Sequence, residues 1–309
     1  MEIFGVISKF CIVFHTFATI KNIDTMKKII FLVSLVALLV GCATPKGDDN
    51  NPTIYVTITP LKALAEAVTC NDFAVKVVVP EGASPETFEP TARHISALSE
   101  AELVFEVGLI NFEQGLVKHL NDEGNLVNLS EGISVMSGCC SHANHNGHTH
   151  GIDPHIWTAP RTLRTMVENM SRAVVAKYPD STKYAAAAES LIERIDELDR
   201  SVEERIKSSG VGAMMIYHPA YTYLARDYGI EQIAIEREGK EPTPRQLTAL
   251  VERAKNEQIK TIFIQPQYCA DKARPIAEAC GAEIVVIDPL AEDIISEIER
   301  ITEIICSNE

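Results

Sequence analysis

Four side chains able to donate to a cation are each bonded directly to a proline. They are Glu86 in Ser84-Pro85-Glu86-Thr87-Phe88-Glu89-Pro90, His155 in Asp153-Pro154-His155-Ile156-Trp157, His218 in His218-Pro219-Ala220-Tyr221, and Asp288 in Asp288-Pro289-Leu290. Two imidazoles and two carboxylates make a donor set that transition metals accept. Proline fixes its own φ near about −65° and restricts the residue before it. The ligand-bearing turns are therefore stiff, and stiff ligands lose less entropy when an ion orders them. A second group follows Cys139 and Cys140: His142, His145, His148 and His150, spaced by small polar residues within 139–150. Such a tract cannot build a core, but it can bind metal as an auxiliary loop, weakly, because it must first be ordered. The two adjacent cysteines are candidates for soft metal ligands or for disulfides.

The elements that must position these residues alternate between strand and helix, twice over. Runs rich in Val and Ile at 53–58, 75–79, 103–109 and 126–129 read as strands, separated by helical stretches at 61–69, 91–101 and 111–121. The pattern repeats with strands at 213–217, 230–235, 261–265 and 283–287 and helices at 219–228, 243–257, 269–280 and 292–306. Near-continuous apolar strands joined by helices predict parallel sheets covered on both faces. Between the halves lie a helix at 161–178 and a longer one at 181–209, with Ile192, Ile195, Leu198, Val202 and Ile206 on one apolar face. The fold class expected is α/β: two lobes with mainly parallel four-stranded sheets, bridged by a long α-helix. Glu86, His218 and Asp288 follow strands, the ends at which open parallel sheets bind ligands. His94 reads as solvated, and Glu236, Arg237 and Glu238 read as a charged loop at a lobe rim. Tyr217, Tyr221 and Gln265 are candidates to orient the ligands, and Trp157 to pack near the cleft.

The N-terminus reads as a targeting segment. Lys27 and Lys28 precede an apolar run at 29–40 that is too short to span a bilayer but suits an export signal. The run ends in Leu39-Val40-Gly41-Cys42 before a polar stretch, which resembles a bacterial lipoprotein signal. That resemblance implies a lipid on Cys42 and removal of 1–41, with Met26 the expected start. The organisation expected is then upstream sequence and signal at 1–41, a tether at 42–52, a first lobe at 53–180, a connecting helix at 181–209 and a second lobe at 210–309. Residues 1–41 carry four Lys and two acids, so their removal takes the net charge from −15 to −17. That acidity argues against nucleic acid as a partner.

Taken together, the four proline-flanked segments resemble, in order, the signatures of the zinc/manganese substrate-binding proteins of ABC importers (the ZnuA/TroA-like family). The resemblance covers nearly the whole chain after the signal. It implies one metal in the interlobe cleft, held by Glu86, His155, His218 and Asp288, and a histidine loop like that of zinc-type members at His142–His150. It further implies a monomer without enzymatic activity, lipid-anchored on the periplasmic side or cell surface, that delivers its ion to an ABC permease in the inner membrane. The family usually has His where this chain has Glu86. Harder oxygen ligands admit Mn2+ or Fe2+ beside the favoured Zn2+, and Glu89 remains a rival to Glu86. A secreted metallohydrolase and a metal-stabilised adhesin are the competing classes. No HExxH occurs, and four protein ligands would close the open position that hydrolysis needs.

Overall fold

The computed structural model describes residues 52–120, 124–137, 151–236 and 239–307. The first sheet contains β1 (Thr53–Val56), β2 (Ala74–Val77), β3 (Leu103–Glu106) and β4 (Leu126–Asn128), in the order β2-β1-β3-β4. The second contains β5 (Ala213–Ile216), β6 (Glu231–Ala234), β7 (Thr261–Ile264) and β8 (Glu283–Val286), in the matching order β6-β5-β7-β8. All pairings within both sheets are parallel, as the continuous apolar runs predict. The inner strands show why those runs are unbroken. Every residue of β3 and of β7 is buried, so no position along either strand faces water.

Around the first sheet lie α1 (Pro60–Val68), α2 (Ala92–Ser99) and α3 (Glu113–Leu120). Two helices then lead across, α4 (Pro160–Lys177) and α5 (Thr182–Ser209). The second sheet carries α6 (Thr222–Tyr228), α7 (Pro244–Asn256), α8 (Arg274–Cys280) and α9 (Ile294–Ser307). At 28 residues α5 is about 42 Å long. Its stripe of Tyr184, Ala188, Leu191, Ile195, Leu198, Val202 and Ile206 is buried at the three-and-four spacing of one helix face. Along that face it packs against α4 and α1 and against α6 and α9, so one helix joins elements of both halves. Gly210 ends it with φ of 70°, a left-handed cap that a side chain would strain. A single hydrophobic cluster runs from Ile54 and Phe105 through Ile195 to Ile216 and Ile298, while a smaller one around Ile233 and Ile262 fills the far side of the second sheet.

Some element ends differ from the sequence expectation, each for a local reason. The strand expected to reach Leu109 stops at Glu106, because the N–H groups of Val107, Gly108 and Ile110 turn onto the Glu113 carboxylate at 2.8–3.0 Å. The helix expected over 269–280 divides into a 3-10 turn, Ala270–Lys272, and α8, with Pro275 in its first turn and no N–H to continue the ladder. His94 is not simply solvated. Its Nδ1 accepts from Thr91 N–H at 3.1 Å while its own N–H meets Thr91 Oγ1, closing a capping box on α2. Among the described residues, none of the cysteines forms a disulfide, and no helix is long and apolar enough to cross a membrane.

Candidate metal centre

Three of the proline-flanked residues meet. One ligand atom from each of Glu86, His155 and His218 lies within 4.8 Å of the others. The Glu86 Oε1 is 3.2 Å from His218 Nε2 and 4.0 Å from His155 Nε2. The two imidazoles stand edge to face, their centroids 5.3 Å apart. Both rings are buried and the carboxylate is mostly so.

Local structure aims each ligand. His218 lies just past β5, and its backbone is gripped by Gln265, whose Nε2 donates to His218 O at 2.6 Å and whose Oε1 faces His218 N at 3.3 Å. Gln265, expected to orient a ligand, thus meets His218 through its main chain. Tyr217 lies at the other end of the same support, its ring against Tyr268, which stacks on His218. Tyr221 is wholly buried and donates its N–H to Gln232. His155 is set by Asp153, whose Oδ1 accepts from His155 N–H at 2.9 Å and pairs with His155 Nδ1 at 2.8 Å. One carboxylate oxygen thus fixes both backbone and ring, and with Nδ1 engaged, Nε2 is the nitrogen presented to the cleft. Glu86 sits in a turn closed by Thr87 N–H onto Ser84 O.

Electrostatics follow from burial among carboxylates. Desolvation alone would push Asp153 up, but the charge and hydrogen bonds of His155 outweigh it and hold this carboxyl below its usual range. Burial would lower His218, yet Glu236 and Glu86 on its two sides overcome that and push it up to about 9. Metal ligation needs the neutral imidazole, so an ion taking Nε2 displaces a proton held there.

The cavity at these residues measures about 40 Å³. A water needs about 10–15 Å³ on the same footing, so an ion with a water or two fits, whereas drug-sized organic ligands need pockets of roughly 300–1,000 Å³. Ile110 and Pro85 line it from the first half, Leu290 and Tyr268 from the second.

Asp288 does not join the group of three. Its Oδ1 accepts from Leu290 N–H at 2.9 Å, and it lines a neighbouring crevice with Glu81 and Glu292. Burial raises its pKa despite that hydrogen bond. The link to the site is through the next residue, because Trp157 Nε1 donates to Pro289 O at 2.7 Å. Glu89 is exposed and outside the group, whereas Glu86 lies within it. Cys42, Cys139, Cys140, His142, His145, His148 and His150 lie outside the described residues, as do Arg237 and Glu238. Two residues near the ligands escaped sequence reasoning. Asp153 carried a signal, an acid two residues before a histidine across a proline. Glu236 looked like rim charge, but it is buried at 3% exposure.

Two parallel α/β halves share one helix, and imidazole and carboxylate donors converge in a small cavity that an ion would fit. Residues 54–302 match the family of periplasmic zinc-uptake complex component A, ZnuA, and the chain belongs to that family. It is 28% identical over 280 residues to the zinc-binding lipoprotein AdcA of Streptococcus pneumoniae, covering 86% of this chain and 56% of the relative. It is 25% identical over 263 residues to the high-affinity zinc uptake system protein ZnuA of Bacillus subtilis, covering 81% of each. A crystal structure of ZnuA superposes with a TM-score of 0.75 at 28% identity, covering 84% of this chain and 99% of that one. The chain spans about half the length of the AdcA relatives it matches.

Proposed function

We propose that this chain captures a transition-metal ion, zinc favoured, outside the cytoplasm and delivers it to an ABC import permease without catalysing a reaction. The observation that carries this reading is the convergence of Glu86 Oε1, His155 Nε2 and His218 Nε2 in a cavity of ion size. The zinc named in its relatives supports the choice of metal. Asp288 is the fourth ligand in this reading, one residue from the Pro289 carbonyl that Trp157 holds. A closed set of four protein donors leaves no position for an attacking water, which favours carriage over hydrolysis. The lobes at 53–180 and 210–309 then act as jaws on the 181–209 helix. Lipid on Cys42 holds the monomer at the membrane after loss of 1–41, and the histidines of 139–150 gather ions for the cleft.

Equilibrium dialysis with elemental analysis tests this on protein lacking 139–150. One tightly held zinc per chain is expected, outcompeting manganese and iron, and the double variant His155→Ala, His218→Ala should lose it. Absence of a tight site in the loop-deleted protein, or its survival in the double variant, refutes the assignment.

A further inference from the structure

We propose that Glu236 is the positioning residue for His218: it holds the ring through Nδ1 and so keeps Nε2 turned to the ion. The inference rests on the function proposed above and deepens it.

Strand register puts Glu236 in place. The pairing of β5 with β6 sets Ala213 beside Glu231 and Ile216 beside Ala234. It continues beyond the strands, with Ile235 N–H donating to Ile216 O and Glu236 N–H to Tyr217 O, both at 2.9 Å. The next position along β5 is His218, which therefore lies beside Glu236. Glu236 Oε1 accepts from Gly239 N–H at 2.7 Å, and that bond fixes the carboxylate plane. Its Oε2 is left facing His218 Nδ1 at 3.4 Å.

A separation of 3.4 Å is longer than a well-formed N–H···O bond of about 2.9–3.0 Å, and His218 Nδ1, facing Glu236 at that distance, has no hydrogen-bond partner in this structure. The ring is not free to leave this alignment. Tyr268 stacks on it with centroids 5.6 Å apart and planes 24° from parallel, and Gln265 holds its backbone. A buried carboxylate is costly unless its oxygens are satisfied. A metal on Nε2 makes Nδ1–H a stronger donor, so the pair tightens as the ion is bound. The two histidines are thereby oriented by the same device from different sources. Asp153 reaches His155 from two residues away, and Glu236 reaches His218 from the neighbouring strand.

Two variants of the full chain test the role, Glu236→Ala and Glu236→Gln. Gln keeps a side-chain oxygen for Nδ1–H, and Ala does not. Zinc affinity is read by competition with a chromophoric chelator, and the His218 Nδ1–H resonance by NMR on protein with 15N-labelled histidine, apo and zinc-loaded. Glu236→Ala should bind zinc about 10–100-fold more weakly and lose the protected Nδ1–H signal, and Glu236→Gln should recover most of both. Unchanged affinity in the Ala variant, weakened affinity with the Nδ1–H signal retained, or no recovery in the Gln variant overturns the proposal. If the parent itself binds no zinc, the functional reading fails. The apo Nδ1–H signal and its response to Glu236→Ala then still decide the role of Glu236.

Discussion

Glu106 offers a perturbation whose size can be worked from the fold. It ends β3, is 2% exposed, and its Oε2 has no hydrogen-bond partner. Burial, with the nearby Glu113 charge adding to it, pushes its pKa from 4.5 to about 8. Glu113 accepts three backbone N–H groups, yet burial raises its pKa as well. Because the folded state raises this pKa, it holds the Glu106 proton more tightly than the unfolded chain does. Stability from this group is therefore full below about pH 4.5 and is lost as pH rises towards about 8. At about 1.4 kcal/mol per unit, the penalty at pH 7 is roughly 2–4 kcal/mol. Glu106→Gln keeps the shape and removes the titration, so it should stabilise the protein at pH 7 by about that amount. For a chain of this size that is roughly 5–10 °C in Tm. Urea unfolding of parent and variant at pH 5, 6, 7 and 8 is the assay. The two curves should converge near pH 5 and diverge towards pH 8, with zinc affinity unaltered. Parallel pH dependences would show that Glu106 ionises in the folded protein at no cost, and the reasoning would fail.

Four further outcomes are expected. Asp153→Ala frees the His155 ring and should weaken zinc binding about 10–100-fold by chelator competition. Asp288→Ala should lower affinity while Glu89→Ala leaves it unchanged, and the reverse pattern by the same assay would reassign the carboxylate ligands. Gly108→Ala must place a Cβ at φ of 85°, where it would meet Asn128 Oδ1 at 2.1 Å. A loss of about 2 kcal/mol or more in chemical denaturation is expected. Ile195→Ala opens a cavity at a fully buried position of α5 and should cost about 2–5 kcal/mol, read by calorimetry.

Much of the architecture is legible in the chain because burial writes itself as pattern. Strands such as β3 and β7 are apolar at consecutive positions because both faces are covered, and α5 is apolar at every third or fourth because one face is. The ligands of the site are legible for a related reason. A donor that must wait in a cavity for an ion needs a stiff turn, and the prolines beside Glu86, His155 and His218 supply it, with His218 just past β5 and His155 at the start of the 3-10 turn Ile156–Thr158. What orients the ligands is less visible. Asp153 acts across two residues, so its relation to His155 lies in the local sequence. Glu236 acts through the register of β5 with β6, a contact between positions that share no local pattern. Its neighbours Arg237 and Glu238 make it resemble ordinary surface charge. Nothing in the order of residues states that the second sheet runs β6-β5-β7-β8, and without that order Glu236 has no reason to lie beside His218. Asp288 shows the same limit from the other side. Its motif marks it as a ligand, but its side chain caps Leu290 in a separate crevice, because the position of the 288–290 turn is set by the contact between Trp157 and Pro289. Residue type can therefore nominate a donor, whereas the distance it must travel to the ion is fixed by packing between the halves.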